Sequence, residues 1–182
     1  MPKRYLTIFC GARTGADPRY ARIAADAARA VIASGAGIVY GGGRVGLMGV
    51  LADAALEAGG RVIGVIPQAL MTAEIAHGAL TTLHVVGSMH ERKALMADIS
   101  DGFVALPGGY GTMDEFCEIL TWAQLGIHRK PIGLLNAGGY YDELLALFAT
   151  FSREGFVPPA DVPLFQSAPD IPSLLAGFGK PW

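Results

Sequence analysis

Short runs of apolar, β-rich sequence recur along this chain at 5–10, 37–40, 61–66, 80–86, 102–106 and 131–135, separated by longer stretches of helical period at 18–34, 47–58, 88–100, 113–125 and 141–151. A strand that is apolar at nearly every position has no wet face. It must be covered on both sides, and the connections long enough to do so are helices. Six strands alternating with five helices therefore predict an α/β fold, a single-domain, Rossmann-like, doubly wound parallel sheet with helices on both faces. Local punctuation agrees: Asp17 places a cap ahead of Pro18, Gly35 follows the first helical stretch, and Gly59-Gly60 stops the second. Residues 1–182 show no domain boundary, internal repeat or low-complexity segment, and the proline-rich stretch 157–172 is expected to be a surface excursion leading to a short last helix.

Composition narrows the partners. Sixteen acidic and fourteen basic residues, without blocks of like charge, leave no source for the counterion-release affinity of nucleic-acid binding, and no apolar run approaches the ~18 residues of a bilayer span. Neither nucleic acid nor membrane is an expected partner. Cys10 and Cys117 are too far apart in sequence for a C-x-x-C motif, so neither a disulfide framework nor a metal site is expected. The first residues run straight into a strand-like segment without a signal-peptide pattern, and a reducing, cytoplasmic location is expected.

Glycine supplies 25 of the 182 residues, about twice the usual share of ~7%, and it is clustered. Three clusters fall at the carboxyl ends of expected strands, where such sheets bind ligands: Gly11-Ala12-Arg13-Thr14-Gly15, Gly41-Gly42-Gly43-Arg44-Val45-Gly46 and Pro107-Gly108-Gly109-Tyr110-Gly111-Thr112. The second matches G-x-G-x-x-G, but Val65-Ile66-Pro67-Gln68 stands where a dinucleotide site carries its ribose-binding acid, and no loop has the Lys-Ser/Thr pair of an NTPase. Its glycines also read as turn and packing residues. In the third, strand, turn and helix start follow without a spacer. Unpaired N–H groups of the first helical turn, the Thr112 hydroxyl and the positive helix end would together seat an anion such as phosphate. Thr112-Met113-Asp114-Glu115 also reads as a capping box, and Ser88-Met89-His90-Glu91 is taken as one.

Residues 107–115 spell PGGxGTxxE, and His90-Glu91-Arg92-Lys93 stands in the helix before them. With these motifs the chain closely resembles the LOG (Lonely Guy) family of cytokinin-activating phosphoribohydrolases, often labelled lysine decarboxylases. The likeness runs from Phe9-Cys10-Gly11 through Tyr40-Gly41-Gly42-Gly43 and Glu74-Ile75 to Leu120-Thr121-Trp122-Ala123-Gln124-Leu125-Gly126, although Ala12-Arg13 follow Gly11 where the family often has Cys-Gly-Ser-Ser. The resemblance implies hydrolysis of the N-glycosidic bond of an adenosine 5′-monophosphate, plain or N6-modified, to free base and ribose 5-phosphate, without a cofactor and by a homodimer. It implies Arg92 and Glu115 as the catalytic pair, and Glu74, Arg92, Lys93, Gly109, Tyr110, Gly111, Thr112, Met113, Asp114 and Thr121 as nucleotide-binding residues. Gly11, Gly43 and Gly108 are expected to join them from the loops.

The residues suit that reaction. Glycosyl cleavage passes through an oxocarbenium-like centre, which a carboxylate stabilises while drawing a proton from the attacking water, and Glu115 is the candidate. It stands one helical turn from the phosphate seat. Arg92 either holds Glu115 ionised and oriented or clamps the phosphate, and both readings stay open. Taken without the resemblance, Arg92 and Lys93 are ordinary solvated helix charges. His77, His84, His90 and His128 have no metal-ligand spacing, and none of Lys3, Lys93, Lys130 and Lys180 stands in a pattern that supports a pyridoxal phosphate Schiff base. The alternative function is a non-catalytic nucleotide or molybdenum-cofactor carrier of the same fold, against which Arg92 and Glu115 together argue.

Overall fold

In the computed structural model, which describes residues 2, 4–71, 76–158, 161 and 164–179, seven strands form one sheet, the central ones buried on both faces and the two at the edges partly exposed. They are β1 (Tyr5–Phe9), β2 (Gly37–Tyr40), β3 (Val62–Pro67), β4 (Thr82–Val86), β5 (Gly102–Ala105), β6 (Ile132–Leu135) and β7 (Gln166–Ala168). The helices are α1 (Arg19–Ala33), α2 (Gly46–Glu57), α3 (Met89–Ile99), α4 (Tyr110–Gln124), α5 (Asp142–Arg153) and α6 (Ile171–Gly177). All pairings between these strands are parallel, in the order β4-β3-β2-β1-β5-β6-β7.

Alternation along the strands divides the core. Leu6, Ile8, Ile38, Tyr40, Val104 and Leu106 face α1, α2 and α6, where Ala24, Ala27, Ala28, Ala52 and Ala55 keep the packing close. Phe9, Val39, Val65, Phe103, Ala105, Ile132 and Leu134 face α3, α4 and α5, against Met96, Phe116 and Ile119. This is the doubly wound sheet expected from the sequence. The chain winds outward from β1 to β4 and then returns to lay β5 on the other side of β1. The strand order therefore reverses between β1 and β5, and the loops leaving these two strands meet there, with the Gly11 N–H donating to the Pro107 carbonyl at 3.3 Å.

Three local expectations are corrected. The stretch 157–172 is not only an excursion: it contributes the edge strand β7, which β6 orders by parallel pairing although its Gln-Ser-Ala sequence carries no strand pattern. Helix α4 begins at Tyr110, not Met113, with Gly109 as its cap. Thr112 therefore lies inside the first turn and makes no capping bond, so the capping-box reading of residues 112–115 fails. At Ser88 the cap forms, its hydroxyl accepting from the Glu91 N–H at 3.1 Å, and the Glu91 carboxylate reaches back one residue beyond the expected box, accepting from the Gly87 N–H at 2.8 Å.

Candidate active site

The turn from β5 into α4 leaves the first helical turn without backbone partners. The earliest helical bond here runs from the Met113 N–H to the Gly109 carbonyl at 3.1 Å, so the N–H groups of Tyr110, Gly111 and Thr112 have no acceptor within the helix. The Thr112 side chain is buried, and its hydroxyl has no hydrogen-bond partner. A Cβ on Gly108 would overlap that hydroxyl, which explains why glycine stands there. Unpaired donors at the positive end of a 15-residue helix form an anion seat.

One turn further along α4, Glu115 is 7% exposed and pairs with Arg92 of α3, Nη2 to Oε1 at 3.1 Å. Arg92 is held at a second point, its Nε donating to the Val65 carbonyl at 3.1 Å. Gly41 makes room for it, since a Cβ there would overlap Arg92 Nη2. Burial raises Glu115 from the ordinary 4.5 to about 7 against the opposing pull of Arg92, with Asp114 adding to the rise. A carboxylate poised near neutrality beside a fixed cation has the properties of a general base. Cys10 lies close by, but burial foremost, and the Glu115 charge next, push its thiol far up and keep it protonated.

These groups open onto a cavity of about 710 Å³, within the range of small-molecule sites. Gly11 and Gly43 border it from the first two loops, Gly108, Gly109, Tyr110, Gly111 and Thr112 from the third, and Arg92 and Glu115 from the helices. Leu47, Met48, Ile66 and Leu70 give it an apolar side. Lys93, Met113, Asp114 and Thr121 do not line it. Lys93 instead bridges α3 to α4 through Asp114 and Glu118, both at 3.0 Å, and the Thr121 hydroxyl donates to the Cys117 carbonyl at 2.7 Å. Glu74 lies outside the described residues. Sequence reasoning missed Tyr20 and Tyr140, which also line the cavity; the Gly138-Gly139 pair before Tyr140, in a loop at the same sheet edge, was the available signal.

His77 is structural: its N–H donates to the Gly42 carbonyl at 3.0 Å, and its ring contacts Asp53 at 3.0 Å. No helix among the described residues is long and apolar enough to cross a membrane.

A doubly wound sheet with an anion seat and a buried Arg–Glu pair at its switch point defines an α/β protein with a small-molecule cavity and acid–base machinery. A family model described as "Possible lysine decarboxylase" matches residues 48–177. The chain is 51% identical over 172 residues to a probable cytokinin riboside 5′-monophosphate phosphoribohydrolase of Oryza sativa subsp. japonica, covering 94% of this chain and 76% of that protein. It is 49% identical to the cytokinin riboside 5′-monophosphate phosphoribohydrolase of Rhodococcoides fascians, covering 97% and 89% respectively. The chain belongs to the LOG family of phosphoribohydrolases, as its motifs implied. Among solved structures, the molybdenum cofactor carrier protein of Chlamydomonas reinhardtii shares the fold, with a TM-score of 0.71 at 23% identity over 96% of this chain and 95% of that one.

Proposed function

We propose that this chain hydrolyses the N-glycosidic bond of adenosine 5′-monophosphates, N6-modified cytokinin nucleotides among them, as an N-glycosidase of the EC 3.2.2 type. The observation that carries the proposal is the placement of Glu115, raised to about 7 and paired with Arg92, one turn along α4 from the seat at Thr112. Three residues of helix amount to about 4.5 Å of rise, so a phosphate on the seat holds its ribose against the carboxylate. The base lies toward Leu47, Met48, Ile66 and Leu70. Glu115 takes a proton from water, the water oxygen bonds to C1′, and the C1′–N9 bond breaks with its electron pair leaving on the base, which is protonated from solvent while Glu115 returns its proton to solvent. The products are free base and ribose 5-phosphate. The negative charge of Glu115 also faces the oxocarbenium-like centre as the bond opens. Arg92, anchored on the Val65 carbonyl, acts on Glu115 and orients it, in preference to clamping phosphate.

The chain acts as a single nucleotide-binding domain and as a homodimer. Exposed apolar side chains at both ends of α4, Tyr110, Leu125 and Ile127, with Met89 at the start of α3, suit a second copy, and free thiols at Cys10 and Cys117 suit the reducing cytoplasm. Incubation with AMP followed by chromatography tests the reaction. Adenine should appear, at a kcat/KM on the order of 10² or more above that for adenosine, because at least two charge-assisted bonds to the phosphate are lost. Binding of AMP without adenine release would make the chain a carrier.

A further inference from the structure

Behind the phosphate seat, the loop from β6 to α5 carries two successive tyrosines that the chemistry above does not use. The Tyr141 hydroxyl donates to the Leu106 carbonyl at 2.6 Å, and the Tyr140 hydroxyl donates to the Gly108 carbonyl at 2.7 Å. These carbonyls flank Pro107, so the pair grips the turn from β5 into α4 on both sides. The grip is itself anchored. Asn136 accepts from the Tyr141 N–H at 2.7 Å and donates to Asp142 at 2.7 Å, while Gly138 and Gly139 reverse the chain with φ of 62° and 75°. The Tyr140 ring stands edge-on to Tyr20 and to Tyr141, with centroids 5.4 and 4.7 Å apart. Tyr141 is 3% exposed and serves the core, whereas Tyr140 is 38% exposed and lines the cavity.

A carbonyl oxygen beside an anion seat opposes its purpose, because its negative end repels the phosphate unless a donor occupies it. The Gly108 carbonyl belongs to the same planar peptide as the Gly109 N–H, so fixing one fixes the other. Apart from its chain neighbours, no atom stands within 4 Å of where a Gly109 side chain would be, and a glycine without such packing restrains its own backbone poorly. We propose that Tyr140 is a positioning residue for the 5′-phosphate: its hydroxyl occupies the Gly108 carbonyl and locks the Gly108–Gly109 peptide, keeping the seat open to an anion. This rests on the proposed function only through the phosphate, so the test separates phosphate from base.

Tyr140→Phe keeps the ring and its edge contacts and deletes one hydroxyl. The affinity for ribose 5-phosphate and the KM for AMP should each worsen about tenfold, while adenine binding changes less than about twofold and kcat less than about threefold. Tyr141→Phe, which unpairs a buried carbonyl, should lower Tm further than Tyr140→Phe does. Unchanged ribose 5-phosphate affinity and AMP KM in Tyr140→Phe overturn the proposal. Equal weakening for ribose 5-phosphate and adenine also overturns it, by making the hydroxyl a general support. Failure of the unsubstituted protein to bind AMP or ribose 5-phosphate instead refutes the proposed function, and the positioning role falls with it.

Discussion

Glu115→Gln should make the protein more stable and nearly inactive. Folding raises this carboxyl from 4.5 to about 7, chiefly by burial, so the folded chain binds the proton more tightly than the unfolded one. Its contribution to stability is therefore fullest below about pH 4.5 and is lost as pH rises toward 7. At about 1.4 kcal/mol for each pH unit between the two values, ionised Glu115 costs the fold up to about 3 kcal/mol at pH 8, with the attraction of Arg92 already included. Glutamine has the shape of the protonated acid and can still accept from Arg92 Nη2, so it avoids that cost. The variant should exceed the parent by up to about 3 kcal/mol at pH 8 and lie within about 1 kcal/mol of it at pH 5 in urea unfolding followed by tyrosine and tryptophan fluorescence. On the same preparation, adenine release from AMP should fall at least ~10²-fold, because the base and the charge facing C1′ are both gone. A variant whose stability tracks the parent at both pH values would refute the buried-charge argument. One that keeps most of the parental rate would refute the catalytic assignment.

The acid limb of kcat/KM for AMP should have its midpoint near pH 7, since Glu115 must be ionised to act; a limb near 4.5 would show a solvated carboxylate. Arg92→Lys keeps the charge but loses the two-point hold, so kcat should fall ~10-fold or more with little change in KM, whereas Arg92→Ala should also move the acid limb upward because the opposing cation is gone. Gly41→Ala places a methyl against the guanidinium rather than against backbone, so the protein should fold and show the kcat loss of Arg92→Lys, read by the adenine assay and a melting curve. Light scattering should give about twice 19.0 kDa at micromolar concentration.

Much of this was legible because the signals were local. Strands buried on both faces have to be apolar throughout, so β1, β2, β5 and β6 announced themselves, and the glycine clusters marked where backbone meets ligand. β7 was invisible because an edge strand of three residues is ordered by its neighbour, not by its own sequence. The start of α4 was misplaced because threonine at 112 mimics a cap, while the true cap, Gly109, has no side chain to advertise it. Tyr140 was missed for a different reason. Its partner Gly108 is 32 residues away and belongs to another strand's loop, a relation that exists only once β5 and β6 are neighbours.

Adjacent residues on α3 show how the same sequence signal can divide in the fold. Lys93 reaches Asp114, which is 58% exposed, and Glu118; these bonds outweigh the lowering effect of burial and hold its ammonium up. That arrangement joins two helices and places no carboxylate in the cavity. Arg92, one residue earlier, reaches the buried carboxylate of Glu115. Desolvating such a pair commonly costs as much as its attraction returns, and a well-packed apolar pair of similar volume would serve the fold as well or better. Stability alone gives no reason for an Arg–Glu pair at the floor of a cavity, beside an unpartnered threonine hydroxyl and three unpaired N–H groups. What the pair supplies, and an apolar pair would not, is a carboxylate whose proton affinity lies near neutral pH and whose direction is fixed toward the cavity. The energetic disadvantage of the site as structure is thus itself an argument for its chemistry.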